Sequence, residues 1–286
     1  MNETVVLDCH ARTDTGKRRK HNEDAFLVCT LNKSLNIQQT SLSMNDQSSL
    51  HGGLQGHLFV IADGMGGHPA GDRASELAVR SIINYVLNTM PWFFNLNTDH
   101  EDDLRDELVS SLERCRENML AEVEARPHLK GMGTTLTMAY LLWPRLYVVH
   151  AGHSRCYVSR DGELKLVTED HTVAQQLVDN GAIEDLKEKR SRWSSVVWNV
   201  ITSEDLPEPS PQVYKVRLDK GDTVLLCTDG LVRHVSDDEI GKIIAEDASA
   251  EEITEKLILA ANDDGGSDNI TAILIRISDL FLPDAA

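Results

Sequence analysis

The sequence predicts an α+β fold of two antiparallel β-sheets, each covered on its outer side by helices. Three observations carry this. Strand-like and helix-like segments come in blocks, without the alternation of parallel βαβ units. The helical segments are amphipathic, so each can cover a sheet with one face only. Tight turns join the central strands as in an antiparallel meander.

The totals fit such a fold. With 286 residues, 41% hydrophobic and 26% charged, the chain can bury a sizeable core. No repeat, coiled-coil heptad or low-complexity tract divides it, and a single domain over 1–286 is expected. The net charge of -18 argues against binding nucleic acid or an anionic membrane, both of which require a basic face. Five cysteines (9, 29, 115, 156 and 227) form no C-x-x-C pair and mostly sit in apolar stretches, as free thiols in a reducing compartment do. The N-terminus has no basic segment followed by an apolar run, and no stretch approaches the ~20 apolar residues of a membrane span. A cytosolic monomer is expected.

Taken in order, Thr4 to Arg12 alternates, with Val5, Leu7, Cys9 and Ala11 on one face of a half-buried strand. A polar, basic segment leads to a second strand, Ala25 to Thr30, and the two are expected to pair as a hairpin. Residues 31–56, rich in Ser, Asn, Gln and Gly and weakly periodic, read as a surface insertion. The apolar run Phe59-Val60-Ile61-Ala62 then carries Asp63 to its end, where Gly64-Met65-Gly66-Gly67 turns the chain. Two helices follow, from Pro69 to Asn88 and from about Asp99 to Glu124. The second has Leu104, Leu108, Leu112, Cys115, Met119 and Val123 on one stripe, and its acidic start suits the positive end of the helix dipole.

Strands are expected at 134–142, 145–151, 154–160 and 163–168, turning at Pro144 and at Asp161-Gly162. Residues 172–192 look helical but broken at Gly181, and with 193–211 they form an irregular flap subregion. Strands return at 212–218 and 222–228, and the second delivers Asp229-Gly230 just as the earlier run delivers Asp63-Gly64. Ser236-x-x-Glu239 and Ser249-x-x-Glu252 are capping boxes that open two helices, and Asn269 to Ile277 is a last strand.

Four acidic stations stand at strand edges: Glu23-Asp24, Asp63, Asp229 and Asp268. Carboxylates gathered together repel, so a folded site needs cations to hold them, and oxygen ligation favours Mg²⁺ or Mn²⁺ over zinc. His150-x-x-His153 is the nearest thing to a nitrogen pair, but on a strand that spacing sends the rings to opposite faces. Two cations about 3.5–4 Å apart activate a water and neutralise phosphoryl charge. A guanidinium is the natural grip on the phosphate, and Lys17-Arg18-Arg19-Lys20 can supply it.

These residues form an ordered set. Gly16 to Arg19 and Asn22 to Asp24, Asp63 to His68, Gly131 to Thr135, Ala151 to Arg155, Asp170-His171, Asp229-Gly230 and Ser267 to Asn269 resemble the bacterial branch of the metal-dependent protein phosphatase 2C family, over roughly residues 5 to 277. The resemblance implies a four-layer α/β/β/α sandwich and hydrolysis of phosphoserine and phosphothreonine in proteins, opposing a kinase, by a metal-bridging water. By position it implies that Asp63 bridges two Mn²⁺ or Mg²⁺ ions and that the Gly64 carbonyl binds the second. Asp229 and Asp268 would then hold the first, Glu23 and Asp24 would serve the second in part through waters, and Arg19 would bind the substrate phosphate.

Three departures from the family pattern follow. His153 stands where the family has an aspartate that helps bind a third, weaker ion; an imidazole suits Mn²⁺ or Zn²⁺ better than Mg²⁺, or acts as a proton donor. The family's Leu-Gly is missing after Asn199-Val-Ile-Thr202. Met65 replaces the histidine that eukaryotic members carry after the Asp-Gly, and the role proposed for that histidine is not transferred to His68. Two alternatives stay open: a catalytically weak phosphatase-like regulatory or binding module, and a metal phosphohydrolase of small molecules.

Overall fold

The computed structural model describes residues 5–39, 49–66, 70–89, 101–181, 193, 195–204 and 209–278. His68, Pro69 and part of the 172–211 flap lie outside them. Among the described residues, twelve strands and six α-helices follow the expected block order: β1 (Val6–Asp14), β2 (Asp24–Asn36), β3 (Ser49–Met65), α1 (Ala70–Asn88), α2 (Glu101–Ala125), β4 (Gly133–Thr134), β5 (Leu136–Leu142), β6 (Arg145–Ala151), β7 (Arg155–Arg160), β8 (Glu163–Leu166), α3 (Val173–Asp179), β9 (Ile201–Thr202), β10 (Gln212–Arg217), β11 (Thr223–Cys227), α4 (Asp229–Val232), α5 (Asp237–Ile244), α6 (Ala250–Asp263) and β12 (Ile270–Ser278).

Antiparallel pairing builds two sheets. One runs β1-β12-β11-β7-β8; the other runs β10-β6-β5-β3-β4-β9, with β2 also on β3. Strand parity divides the apolar side chains into three layers. Leu58, Val60 and Ala62 of β3 face α1 and α2, where Ala74, Ala78, Ile82, Leu112, Cys115 and Met119 are buried. Leu225, Cys227, Ala272 and Leu274 face α5 and α6, with Ile240, Ile253 and Leu257. The alternate positions Phe59, Ile61, Val148, Cys156, Val224, Leu226, Ile273 and Ile275 meet between the sheets. The α+β sandwich, helices outside and sheets inside, is therefore present. Among the described residues, no helix is long and apolar enough to cross a membrane, and all five cysteines are free thiols.

Three expectations are corrected. β1 and β2 do not form a hairpin: β1 pairs with β12 across the whole of Val6↔Ser278 to Asp14↔Ile270, and β2 pairs with β3 in the other sheet. The basic segment between them is thus a bridge from sheet to sheet. Residues 31–56 are not simply a loop, because β2 continues to Asn36 and β3 begins at Ser49, with Ser34↔His51 and Asn36↔Ser49 in register. Backbone ladders need no side-chain alternation, so a polar, glycine-containing stretch concealed them. The meander also breaks at Gly152-His153-Ser154, where the chain leaves β6 in one sheet and enters β7 in the other. At the helix starts, Ser249 makes a full capping box with Glu252, whereas Ser236 accepts from the Glu239 N–H.

The inter-sheet layer should carry the stability. Phe59→Ala, at a side chain 2% exposed, is expected to cost about 3–5 kcal/mol. Leu259→Ala, at a side chain 60% exposed on α6, should stay within about 0.5 kcal/mol of the native value. Urea unfolding of both variants checks the pair.

Candidate metal centre

The parity that sends Phe59 and Ile61 between the sheets sends Asp63 there too, at the end where β3 runs out of apolar residues. On β2, Ala25, Leu27 and Cys29 pack toward the helices, so Asp24 faces inward with the opposite parity. Asp24 and Asp63 are direct cross-strand partners, an arrangement in which like charges repel. From the other sheet, β11 delivers Asp229 to the start of α4, and the turn before β12 delivers Asp268. A cleft of about 420 Å³ is lined by Arg19, Glu23, Asp63, Gly64, His153, Asp229, Arg233 and Asp268, together with Met65, Gly66, Ser195 and Val197. Six of the seven residues singled out in the sequence line this cleft; the seventh, Asp24, lies behind it.

The two Asp-Gly strand ends are tight for the same reason. A Cβ on Gly64 would stand 2.0 Å from the Gly71 carbonyl oxygen, and one on Gly230 would stand 1.9 Å from that of Asn269. Only glycine fits, so both aspartates are followed by backbone locked against a neighbouring element. Asp63 is fixed further: its N–H donates to Thr135 Oγ1 (3.2 Å), and its carbonyl accepts from the Thr135 N–H (2.9 Å) and from Thr134 Oγ1 (2.9 Å). This explains the Gly131-Met-Gly-Thr-Thr135 motif.

Asn269 fixes the loop that carries Arg19 and Glu23. Its Nδ2 donates to the carbonyls of Thr15 (3.0 Å) and His21 (2.9 Å), and its Oδ1 accepts from the Glu23 N–H (2.8 Å). The Glu23 carbonyl in turn accepts from the Gly64 N–H at 3.1 Å, and the Glu23 carboxylate lies against Gly71, where a Cβ would come within 2.7 Å of it. Arg19, its side chain half exposed, forks onto Asp268 with Nε 2.8 Å from Oδ1 and Nη2 2.9 Å from Oδ2.

Arg233 was not anticipated from the sequence. It grips Asp229 Oδ2 through Nε (2.8 Å) and Nη2, and its Nη1 lies 3.5 Å from Asp268 Oδ2. The signal available was its i+4 spacing from Asp229, usable only once α4 is known to be a helix. Thr228 and Thr271 were also missed. Their hydroxyls donate to Asp24 Oδ2 at 2.9 and 2.6 Å, and as strand-end threonines they carry no distinguishing pattern.

Electrostatics follow from this packing. Burial pushes the Asp24 carboxyl up to about 7, opposed by the two threonine hydroxyls and reinforced by Asp229 and Asp268. Asp63 is held well above the usual carboxylate range by burial and by Asp24, Asp229 and Asp268. Burial acts on Asp229 in the same direction, but His153, Arg233 and Arg19 outweigh it and leave that carboxyl lowered. Asp63, His153 and Asp229 each offer a ligand atom, and the three atoms lie within 4.8 Å of one another. His153 Nδ1 is buried without a hydrogen-bond partner, so the donor set fits a divalent cation.

The two histidines of the H-x-x-H pair part company, but not by strand alternation: β6 ends at Ala151, and His153 stands in the crossover to the other sheet. His153 enters the cleft. His150 is fully buried between Thr137 Oγ1 (2.8 Å) and the Glu169 carbonyl (3.0 Å), its ring 4.7 Å from that of His171. His171 Nδ1 accepts from the Gly152 N–H (3.1 Å) and from Asn199 Nδ2 (2.9 Å), tying the turn before His153 to residues 195–199 of the flap. Arg155 clamps Asp170 through two hydrogen bonds of 2.8 and 2.7 Å. The Ser-Arg and Asp-His motifs are thus the frame beneath the cleft.

The protein phosphatase 2C family model matches residues 37–274, and the chain belongs to that family. It is 34% identical to the serine/threonine protein phosphatase PstP of Mycobacterium tuberculosis over 277 residues, which cover 96% of this chain and 46% of that protein. The chain therefore spans about half the length of the first curated relatives it matches. It is 29% identical to the serine/threonine phosphatase stp of Listeria welshimeri, covering 93% of this chain and 94% of that one. Among solved structures, the catalytic domain of PstP in complex with two manganese ions is similar at a TM-score of 0.74 and 31% identity, covering 96% of this chain and all of that one. Stp1 of Staphylococcus aureus is similar at a TM-score of 0.77 and 25% identity, covering 98% of each chain.

A pH dependence follows for the cation-free protein. Asp24, with its carboxyl raised to about 7, binds its proton more tightly folded than unfolded. Its contribution is therefore fully present below the ordinary carboxylate range and is lost as pH rises through about 7. Chemical unfolding in chelator should show stability falling from pH 4 toward pH 8, with a smaller fall in Asp24→Asn.

Proposed function

We propose that this chain is a metal-dependent protein phosphatase that hydrolyses phosphoserine and phosphothreonine in proteins, opposing a kinase in the same cell. The observation that carries the reading is the convergence of Asp63, Asp229, Asp268 and Glu23 from two sheets onto one cleft, with Arg19 at the same site. Two Mn²⁺ or Mg²⁺ ions held there would supply an activated water and charge neutralisation. Asp63 and the Gly64 carbonyl are assigned to both ions and to the second ion respectively, Asp229 and Asp268 to the first, and Glu23 and Asp24 to the second, in part through waters. For Asp24 the threonine clamp supports an indirect role.

Arg19 is assigned to the substrate phosphate. Its bidentate hold on Asp268 keeps the guanidinium at the cleft, where an arriving phosphate offers the same two-oxygen geometry. Arg233 is spoken for by Asp229 and orients that carboxylate. The paired hydroxyls on Asp24 and the threonine grip on the Asp63 backbone hold both carboxylates in place before substrate arrives. The acidic charge and the free thiols fit a cytosolic phosphoprotein phosphatase.

A second reading, a phosphatase-like regulatory module with weak turnover, has one observation in its favour: His153 in place of the family's aspartate. One assay separates them. Hydrolysis of a phosphothreonine peptide by the native chain should require Mn²⁺ or Mg²⁺, and Asp229→Asn should lower it at least about 100-fold. Arg19→Ala should lower kcat/KM about 10- to 100-fold, with little rescue by Arg19→Lys, which cannot fork. No turnover by the native chain, with turnover in His153→Asp, would favour the module.

A further inference from the structure

We propose that His153 Nδ1 is a direct ligand to a divalent transition-metal ion shared with Asp63, and that this nitrogen makes the centre prefer Mn²⁺, Co²⁺ or Zn²⁺ to Mg²⁺. The inference rests on the metal-centre part of the phosphatase reading and deepens it.

The His153 side chain is 8% exposed and projects from the three-residue crossover between the two sheets. The crossover is rigid: Gly152 has φ +131°, a Cβ there would lie 2.4 Å from Thr135 Cβ, and Gly152 bonds His171 through both its N–H and its carbonyl. So the ring is aimed, with little freedom to turn away. Nδ1 lies 3.9 Å from Asp63 Oδ2, and Nε2 lies 3.2 Å from Asp229 Oδ2.

A distance of 3.9 Å is too long for a hydrogen bond, and Nδ1 has no other partner. If the ring were a doubly protonated cation, it would leave a buried N–H unsatisfied. If Nδ1 were bare, its lone pair would face a carboxylate. Either state costs free energy. A cation between the ring and Asp63 removes the difficulty, because ligands about 2.1 Å from one ion stand roughly 3.0–3.5 Å apart. That spacing needs only a small closure. Nε2 then carries the ring proton beside Asp229, and a carboxylate next to the second nitrogen is the usual arrangement for a metal-bound imidazole. Imidazole suits Mn²⁺, Co²⁺ and Zn²⁺, whereas Mg²⁺ keeps to oxygen donors.

The test is spectroscopic and needs no turnover. Native chain, stripped and reloaded with Mn²⁺, is expected to show electron spin-echo modulation from a directly bound imidazole ¹⁴N. Labelling the native chain with ¹⁵N-histidine should replace that modulation without any mutation, and His153→Gln and His153→Asp should abolish it. Mg²⁺ should displace half of the bound Mn²⁺ from His153→Asp at a concentration at least about tenfold lower than from the native chain. Absence of histidine nitrogen modulation in the native chain, or its persistence in His153→Gln, would overturn the proposal, as would equal Mg²⁺ competition in native and His153→Asp protein. Nitrogen modulation without peptide hydrolysis would sink the phosphatase reading and leave this one standing; hydrolysis without modulation would do the reverse.

Discussion

Mutual repulsion among carboxylates gathered in one partly buried cluster is the constraint on which this structure turns. Asp24 and Asp63 face each other across β2 and β3, and Asp229 and Asp268 approach them from the opposite sheet. Two unit charges roughly 5 Å apart at an effective dielectric near 20 repel by about 3 kcal/mol. A domain with a net stability of only about 5–15 kcal/mol cannot leave several such pairs uncompensated. The protein answers in three ways: Arg19 and Arg233 neutralise Asp268 and Asp229, Thr228 and Thr271 hold Asp24, and the remaining charge is left for protons or cations.

The sandwich is what makes that concentration of charge tolerable. The layer between the sheets is filled by Phe59, Ile61, Val224, Leu226, Ile273 and Ile275, and it changes to carboxylates only where β3 and β11 end. Each acidic side chain inherits its direction from the strand parity of apolar residues deeper in the core. The backbone around it is locked by glycines that admit no side chain, as at Gly64 and Gly230. Stability and site geometry therefore share one set of strands, and the crossovers between sheets, at 15–23 and 152–154, bring the remaining groups to the cleft.

Much of this was legible in the chain. An apolar run ending in Asp-Gly announces a carboxylate at the mouth of a buried strand, and both instances, Asp63 and Asp229, line the cleft. Amphipathic stripes located α1 and α2 because their periodicity reflects burial on one face only, and the Ser-x-x-Glu caps located the starts of α5 and α6. What escaped lacks a local signal. β1 and β2 are neighbours in sequence, yet their partners lie in different sheets, and that choice depends on β12 more than 250 residues away. Arg233 caps the C-terminus of a four-residue helix too short for periodicity to register. Thr228 and Thr271 resemble any β-sheet threonine until the fold brings Asp24 to them. The selection of Arg19 within a run of four basic residues came from the family resemblance, and the structure places its guanidinium at the cleft, on Asp268.

On the proposed function, divalent cations rather than protons are the counter-charge of this cluster. Calorimetric titration of the metal-free chain with Mn²⁺ near pH 6.5, repeated in buffers of different ionisation enthalpy, tests it most directly. Saturable binding of two or three ions per chain is expected, accompanied by proton release, because Asp24 and Asp63 surrender protons held at raised pKa values as the ions arrive. Binding whose heat is independent of the buffer, or no saturable binding at millimolar Mn²⁺, would contradict it.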